Sequence, residues 1–267
     1  MRLIQPPGII TSGRIVFEGK DILAMKEEEL RKIRGEKMAM VFQDPMTSLN
    51  PVKNIEDHFI EYINEHRPKI RREEATRMAE RIIADVGIST ARLKEYPHQF
   101  SGGMRQRVMI GLALALEPSL IIADEPTTSL DVMVEAQILE LMRRLKEKYK
   151  LSMMLITHNM GIVAEVCDRV AVMYAGRIAE VSTTSRLFKE PKHPYTSLLI
   201  ESVPNIAVND QVLKTIPGHP PDLTGLPSGC PFHPRCPFAF DRCKVEVPEL
   251  KEVSGGSYAA CHLLDKS

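Results

Sequence analysis

The sequence predicts an α/β fold: a largely parallel sheet with helices packed on it, followed by an extension of different character. Three observations carry that prediction. Short apolar runs of strand length alternate with longer segments of helical period, the pattern of strand–helix–strand units. One such run, "SLIIADEPTTSLD" from Ser119 to Asp131, stops on two adjacent carboxylates, Asp124 and Glu125. Beyond about Val181 prolines multiply, as in "EPKHPY" and "IPGHPPDLTGLPSGCPFHPRCP", and apolar periodicity fades.

In chain order, "GRIVFEGKDIL" alternates and is bounded by Gly13 and by Gly19-Lys20, so it reads as a strand and turn. "KEEELRKIRG" is helical and ends at Gly35. "KMAMVFQ" is a short buried strand that delivers Gln43 at its end. From about Asn54 to Leu93 the pattern is helical, with Ala79, Ile82, Ile83 and Val86 forming one apolar stripe. "YPHQFSGG" breaks it, and "MRQRVMIGLALAL" is a second strong helix closed by Glu117-Pro118. "SLIIA" has the length and branching of a fully buried strand, and "SMMLIT" reads the same way. Between them "VEAQILELMRRLKEKYK" is an amphipathic helix. "MGIVAEVC" is a short helix, and "RVAVMYAGRIAEV" is a hairpin around Ala175-Gly176. The Pro-rich tail is too poor in apolar period for a second α/β core and is expected to be held by something else.

Composition excludes several functions. Lys plus Arg and Asp plus Glu are 35 each, so no net charge favours nucleic acid. Aromatic residues make up 5% and Trp is absent, which removes the usual base-stacking platforms. The longest apolar stretch is cut by Glu117 and Pro118, short of the roughly 20 residues a spanning helix needs. The N-terminal "MRLIQPPGII" lacks the length and cleavage site of a signal peptide. The chain therefore reads as cytosolic, reaching a membrane only through a partner.

Asp124 and Glu125 occupy the carboxyl end of a strand, the edge where ligands bind in open α/β sheets. An Asp there suits Mg²⁺, and an adjacent acid can hold an attacking water; two acids capping a turn is the plainer reading of the dipeptide alone. Four neighbours favour the former. "SGGMRQR" from Ser101 opens a long helix, where free N–H groups and the helix dipole make an anion site. Gln43 ends one strand, Ser129-Leu130-Asp131 follows the double acid, and His158 follows the strand "MMLIT".

This ordered set resembles the ATP-binding subunits of ABC transporters, over about Gly13 to Val181. Gln43 matches the Q-loop, Ser101-Gly102-Gly103-Met104 the signature motif, and Leu120 to Asp124 the Walker B strand. Glu125 matches the catalytic glutamate, Ser129-Leu130-Asp131 the D-loop and His158 the switch histidine. The resemblance implies a P-loop NTPase-like nucleotide-binding domain with a helical subdomain, binding ATP and Mg²⁺. It implies that Asp124 binds Mg²⁺, Glu125 polarises the hydrolytic water, and His158 contacts the γ-phosphate. Gln43 would sense the metal and the membrane subunit, while Ser101 to Met104 and Asp131 serve nucleotide across a head-to-tail dimer. One element of the pattern is missing: no G-x-x-x-x-G-K-[ST] run, the Walker A phosphate cradle, occurs in the 267 residues. The expectation is a nucleotide-binding domain incomplete at its N-terminus, with Met1 falling inside the helix that Walker A starts. On that expectation the chain alone is inactive.

The tail narrows the resemblance. "KEPKHPYTSLLIESVP", "IPGHPPDL" and "PSGCPFHPRCPFAFDRC" resemble the C-terminal extension of oligopeptide and dipeptide importer ATPases. Cys230, Cys236, Cys243 and Cys261 are spaced C-x5-C-x6-C-x17-C. Structural zinc sites favour closer pairs, whereas Fe–S sites use four thiolates, often with Pro after a Cys, as at Cys230 and Cys236. Zinc, with His262 replacing a thiolate, and no metal at all are the alternatives; the resemblance implies a [4Fe–4S] cluster. Cys167 stands apart and carries no ligand role.

The resulting reading has an ABC ATPase domain over 1–180, its helical subdomain at about 44–100, and a metal-binding extension over 181–267. Its function would be to couple ATP binding and hydrolysis to peptide uptake at the cytoplasmic face of the cell membrane. Its partners would be a second ATPase subunit, the same or different, and two transmembrane permease subunits, with no nucleic acid. The alternatives are a non-hydrolysing interaction subunit that completes a partner's ATP site, and a soluble ABC protein of DNA repair or translation, which the neutral charge and cysteine tail disfavour.

Overall fold

A computed structural model describes residues 1–43, 48–128, 130–203 and 215–266. They fall into two compact units, Met1–Ile156 and Thr157–Ser267.

The first unit opens with a hairpin of β1 (Val16–Phe17) and β2 (Lys20–Asp21), antiparallel and joined by Glu18 (φ 47°) and Gly19 (φ 76°). Helix α1 (Glu27–Ile33) carries acids in its first turn and bases in its last, complementing its dipole. Strand β3 (Met38–Val41) begins the central sheet. Helices α2 (Ile55–His66) and α3 (Arg72–Asp85) are separated at Arg67-Pro68, where proline disfavours helical backbone in the residue before it. Asn54 caps α2 by accepting the Asp57 N–H. The predicted stripe Ala79, Ile82, Ile83 and Val86 on and just after α3 is fully buried against Phe59 and Ile63 of α2; each large side chain buried this way contributes about 1.5–3 kcal/mol. Helix α4 (Gly102–Leu114), strand β4 (Leu120–Asp124), helix α5 (Val132–Tyr149) and strand β5 (Ser152–Ile156) complete the unit. The sheet runs β3-β4-β5 and is parallel throughout, with Met38 opposite Leu120 and Leu120 opposite Ser152. The predicted start of the helical subdomain at 44 lies outside the described residues.

Two strands expected to be fully buried are only half-buried. In β4, Ile121 and Ala123 enter the main core, while Leu120 and Ile122 are partly buried against a smaller cluster of Ile22, Leu30 and Met38. In β5, Met154 is 53% and Ile156 45% exposed. Ser152, Met154 and Ile156 alternate along the strand and share one face, and that face is exposed.

The second unit begins with helix α6 (Met160–Val166) and the predicted hairpin, β6 (Arg169–Tyr174) and β7 (Arg177–Thr183). Ala175 and Gly176 turn it with φ 47° and 75°, the two left-handed residues that match strand twist. Helices α7 (Thr184–Lys189), α8 (Pro194–Glu201) and α9 (Asp241–Val245) follow, then β8 (Lys251–Ser254) and β9 (Ser257–Ala259). The sheet order is β6-β7-β9-β8, all antiparallel.

The tail is thus more than a loop. Two of its strands extend the hairpin, and the buried hydroxyls of Ser182 and Ser257 meet at 2.8 Å. Tyr174, Tyr195 and Phe232 form an aromatic cluster with centroids 4.6–5.3 Å apart. Strands of three and four residues are too short to show a period in sequence, which is why they were not anticipated. Among the described residues, no helix is long and apolar enough to cross a membrane.

Candidate functional site

At the carboxyl end of β4, Asp124 is the last strand residue and Glu125 turns off it with φ 43°, uncommon for a residue with a side chain. The Glu125 N–H bonds the Ile156 carbonyl at 2.9 Å, which ties this turn to β5. Glu125 Oε2 accepts hydrogen bonds from Gln43 Nε2 at 3.1 Å and from Thr128 Oγ1 at 2.8 Å. Gln43 lies just beyond β3, the parallel neighbour of β4, so register alone delivers both side chains to one sheet edge. Because Gln43 donates through its amide nitrogen, its Oε1 is left as an acceptor, and Asp124 adds a carboxylate at the end of the neighbouring strand. That donor set, all hard oxygen, is the kind that suits Mg²⁺. Gln43 and Thr128, both neutral donors, orient the Glu125 carboxylate, the type of group that can polarise a water.

A second group forms where two helices begin side by side. Ser101 caps α4 by accepting the Met104 N–H at 3.4 Å, and Asp131 caps α5 by accepting the Val134 N–H at 2.9 Å. A Cβ on Gly103 would lie 2.4 Å from Val134 Cγ1, and one on Gly102 3.6 Å from Leu130 Cδ2. The glycines therefore let the two N-termini approach. Met104 turns its thioether toward Arg92 Nη1, at 3.1 Å, and packs against the core. Ser129 lies outside the described residues. His158 follows β5 and belongs to the second unit, where it is exposed just before Asn159, the cap of α6.

In the second unit Cys230, Cys236, Cys243 and Cys261, far apart in sequence, line one small cavity together with His193, His233 and His262. All are free thiols. The Cys230 N–H bonds the Cys243 carbonyl at 2.9 Å. Gly229 permits it: its φ is +69° and a Cβ there would fall 2.4 Å from the Cys243 oxygen. Cys236 follows a 3-10 turn, His233–Arg235, and Cys261 follows β9. Burial pushes the thiols of Cys230 and Cys236 up and that of Cys261 up to about 11, with the neighbouring cysteines adding to the rise. Without a cation the site thus favours protonated sulfur. Among the described residues, no three His, Cys, Asp or Glu side chains converge closely enough to hold a single metal ion.

Three residues at these sites went unremarked in sequence. Thr128 sits inside the quoted "EPTTSLD" turn, where a hydroxyl three residues after an acid was the available signal. Glu180 of β7 is 1% exposed, and its carboxylate accepts the N–H groups of Lys192 at 2.9 Å and His193 at 2.8 Å. His193 is 4% exposed and caps α8 through Nδ1, which accepts the Tyr195 N–H at 3.0 Å; burial pushes its pKa down to about 4. Nothing local in "KEPKHPY" distinguishes a buried histidine from an exposed one.

Comparison with known proteins finds two family matches. The ABC transporter family matches residues 1–128, and the family described as "Oligopeptide/dipeptide transporter, C-terminal region" matches residues 179–243. The chain is similar to the dipeptide transport ATP-binding protein DppD of Bacillus subtilis, 46% identical over 96% of this chain and 77% of that protein. It is equally similar to the oligopeptide transport ATP-binding protein OppD of Haemophilus influenzae, 46% identical over 94% of this chain and 78% of that protein. Among solved structures, it resembles a dimeric ATP-binding cassette in a post-hydrolysis state bound to ADP and Pi. The TM-score is 0.58 at 26% identity, covering 65% of this chain and 74% of that one. It also resembles cbiO1 of Clostridium perfringens, part of an ABC transporter complex, with a TM-score of 0.60 at 29% identity over 67% and 69%.

Proposed function

The chain belongs to the ATP-binding proteins of oligopeptide- and dipeptide-type ABC transporters, and we propose that it is the nucleotide-binding subunit of an importer that couples ATP binding and hydrolysis to peptide uptake. The observation that carries this reading is the Gln43–Glu125 hydrogen bond at the carboxyl edge of the parallel sheet, beside Asp124. Asp124 and the Gln43 Oε1 would hold Mg²⁺, which when bound neutralises phosphate charge. Glu125, oriented by Gln43 and Thr128, polarises the attacking water. His158 contacts the γ-phosphate. Ser101 to Met104 serve as a cradle for nucleotide on a partner subunit, since helix N-termini offer free N–H groups to anions; Asp131 holds the adjoining helix start in place. The partners are a second ATPase subunit and two transmembrane permease subunits, which would hold this chain at the cytoplasmic face of the membrane. The domain reading is an ATPase domain to about residue 180, with its helical subdomain at about 44–100, and an extension from 181.

The four cysteines would hold a [4Fe–4S] cluster. Four thiol side chains lining one cavity are what supports that reading, since such clusters are held by four cysteines. Binding would stabilise the thiolates that burial alone disfavours.

The test is reconstitution of the chain with its permease and partner subunits in vesicles. Labelled dipeptide should accumulate only with ATP and only when this subunit is present. Equal uptake without it would overturn the reading.

A further inference from the structure

Three histidines line the four-cysteine cavity, and their hydrogen bonds fix their tautomers differently. His233 Nδ1 lies 3.0 Å from the Cys230 carbonyl, and His262 Nε2 lies 2.9 Å from the Glu246 carbonyl. A carbonyl only accepts, so those nitrogens carry a proton; the other nitrogen of His262, Nδ1, lies 3.7 Å from Asp265 Oδ2. His193 is the reverse. Its Nδ1 faces a backbone N–H, which only donates, so Nδ1 must be the lone pair and Nε2 must carry the hydrogen. Among the described residues that Nε2–H has no hydrogen-bond partner, and the ring lines the cavity.

We infer that His193 donates a hydrogen bond from Nε2 to a sulfur of the four-cysteine centre and thereby tunes it. The inference rests on the reading of that centre as an iron–sulfur site. Thiolate and sulfide sulfurs are electron-rich acceptors, and hydrogen bonds to them are among the groups that set cluster potentials. A donated hydrogen bond stabilises the more negative, reduced state more than the oxidised one, so it raises the reduction potential. Glu180 acts as the positioning residue. Its buried carboxylate grips the N–H groups of Lys192 and His193 and fixes the backbone from which the imidazole projects. Glu180 also pairs with Ala259 on β9, two residues before Cys261, so one strand pair registers both the donor and a ligand.

The test is a redox titration of the anaerobically purified full chain, following the optical and EPR signals of the centre, with iron and sulfide measured in parallel. His193→Phe keeps a ring but no N–H and is expected to move the midpoint to more negative potential at unchanged iron content; His193→Gln, whose amide can donate, should lie closer to wild type. An unchanged midpoint in a cluster-loaded His193→Phe protein overturns the inference. Absence of iron and sulfide from the wild-type chain overturns instead the reading of the centre on which it rests. Should His193→Phe fail to hold a cluster, ¹⁵N-histidine-labelled protein decides. A ring-nitrogen hyperfine coupling to the reduced centre that survives in His233→Gln and His262→Gln supports the bond, and its absence overturns it.

Discussion

Gln43 and Glu125 are 82 residues apart in sequence and meet through a 3.1 Å hydrogen bond from amide nitrogen to carboxylate oxygen. One ends the segment after β3 and the other turns off β4, so the bond reports on the register of two parallel strands. It also makes the two side chains a unit: whatever moves Gln43 reorients Glu125. The pair is best tested in the transporter reconstituted with its partner and permease subunits. There Glu125→Gln should bind ATP but lose turnover by about 10²-fold or more, the usual contribution of a general base. Gln43→Ala should lower turnover by about 10-fold or more, since a hydrogen bond to a charged group is worth roughly 1.5–3 kcal/mol. Single-turnover and nucleotide-binding assays separate the two; unchanged chemistry in Glu125→Gln would remove it from the reaction.

Gly103 is predicted to be intolerant of any side chain for a steric reason. Val134 Cγ1 stands 2.4 Å from where its Cβ would be, and a β-branched residue in a helix has little rotamer freedom with which to give way. Gly103→Ala should cost about 1–3 kcal/mol in urea unfolding. Val134→Ala in the same chain should recover most of that loss. Additive costs in the double mutant would mean that the two helix starts do not press on each other.

Asp85 joins the end of α3 to the end of α5 by accepting hydrogen bonds from Lys148 and Tyr149. Burial raises its pKa, but the Lys148 and Tyr149 hydrogen bonds and the positive charges of Lys148 and Arg81 outweigh it and hold the carboxyl below its ordinary value. A depressed carboxyl pKa means the stabilisation is fully present above the unfolded value, near 3.9, and is lost as pH falls through the folded one. Asp85→Asn should therefore cost about 1 kcal/mol at pH 7, as expected for a partly exposed pair. The difference from wild type should vanish in unfolding measured near pH 2. A constant difference across pH would assign the loss to packing.

The cysteine centre makes a compositional prediction. Anaerobically purified chain should be brown and contain about four iron and four sulfide per polypeptide. Stoichiometric zinc without sulfide would contradict the cluster. Cys230→Ser should loosen the segment around the cavity in proteolysis while leaving the first unit folded, because that unit has its own core.

Much of this was legible in the sequence, and the parts that were not share a cause. Periodicity found α3, α4 and α5 and the buried stripe from Ala79 to Val86, since long amphipathic runs carry strong signals. The Asp124-Glu125 edge was legible because strand termini in parallel sheets collect polar residues. The half-exposure of β5 was not, since apolar content does not say whether a face will be covered. Nor was the β7–β9 pairing, a contact between residues nearly 80 positions apart in strands of seven and three residues. The convergence of four cysteines was suspected from spacing, but the tautomer of His193 depends on a helix cap that only the fold creates.

The most direct test of the account uses the helix start at Ser101, which retains its cap and its free N–H groups. The chain is mixed with a partner ATPase and the permease, and ATP turnover is measured for wild type and Ser101→Arg. If Ser101 and Gly102 face phosphate held by the partner, Ser101→Arg should lower turnover by about 10²-fold or more, the usual loss on removing such a donor. Full activity in Ser101→Arg would contradict the account.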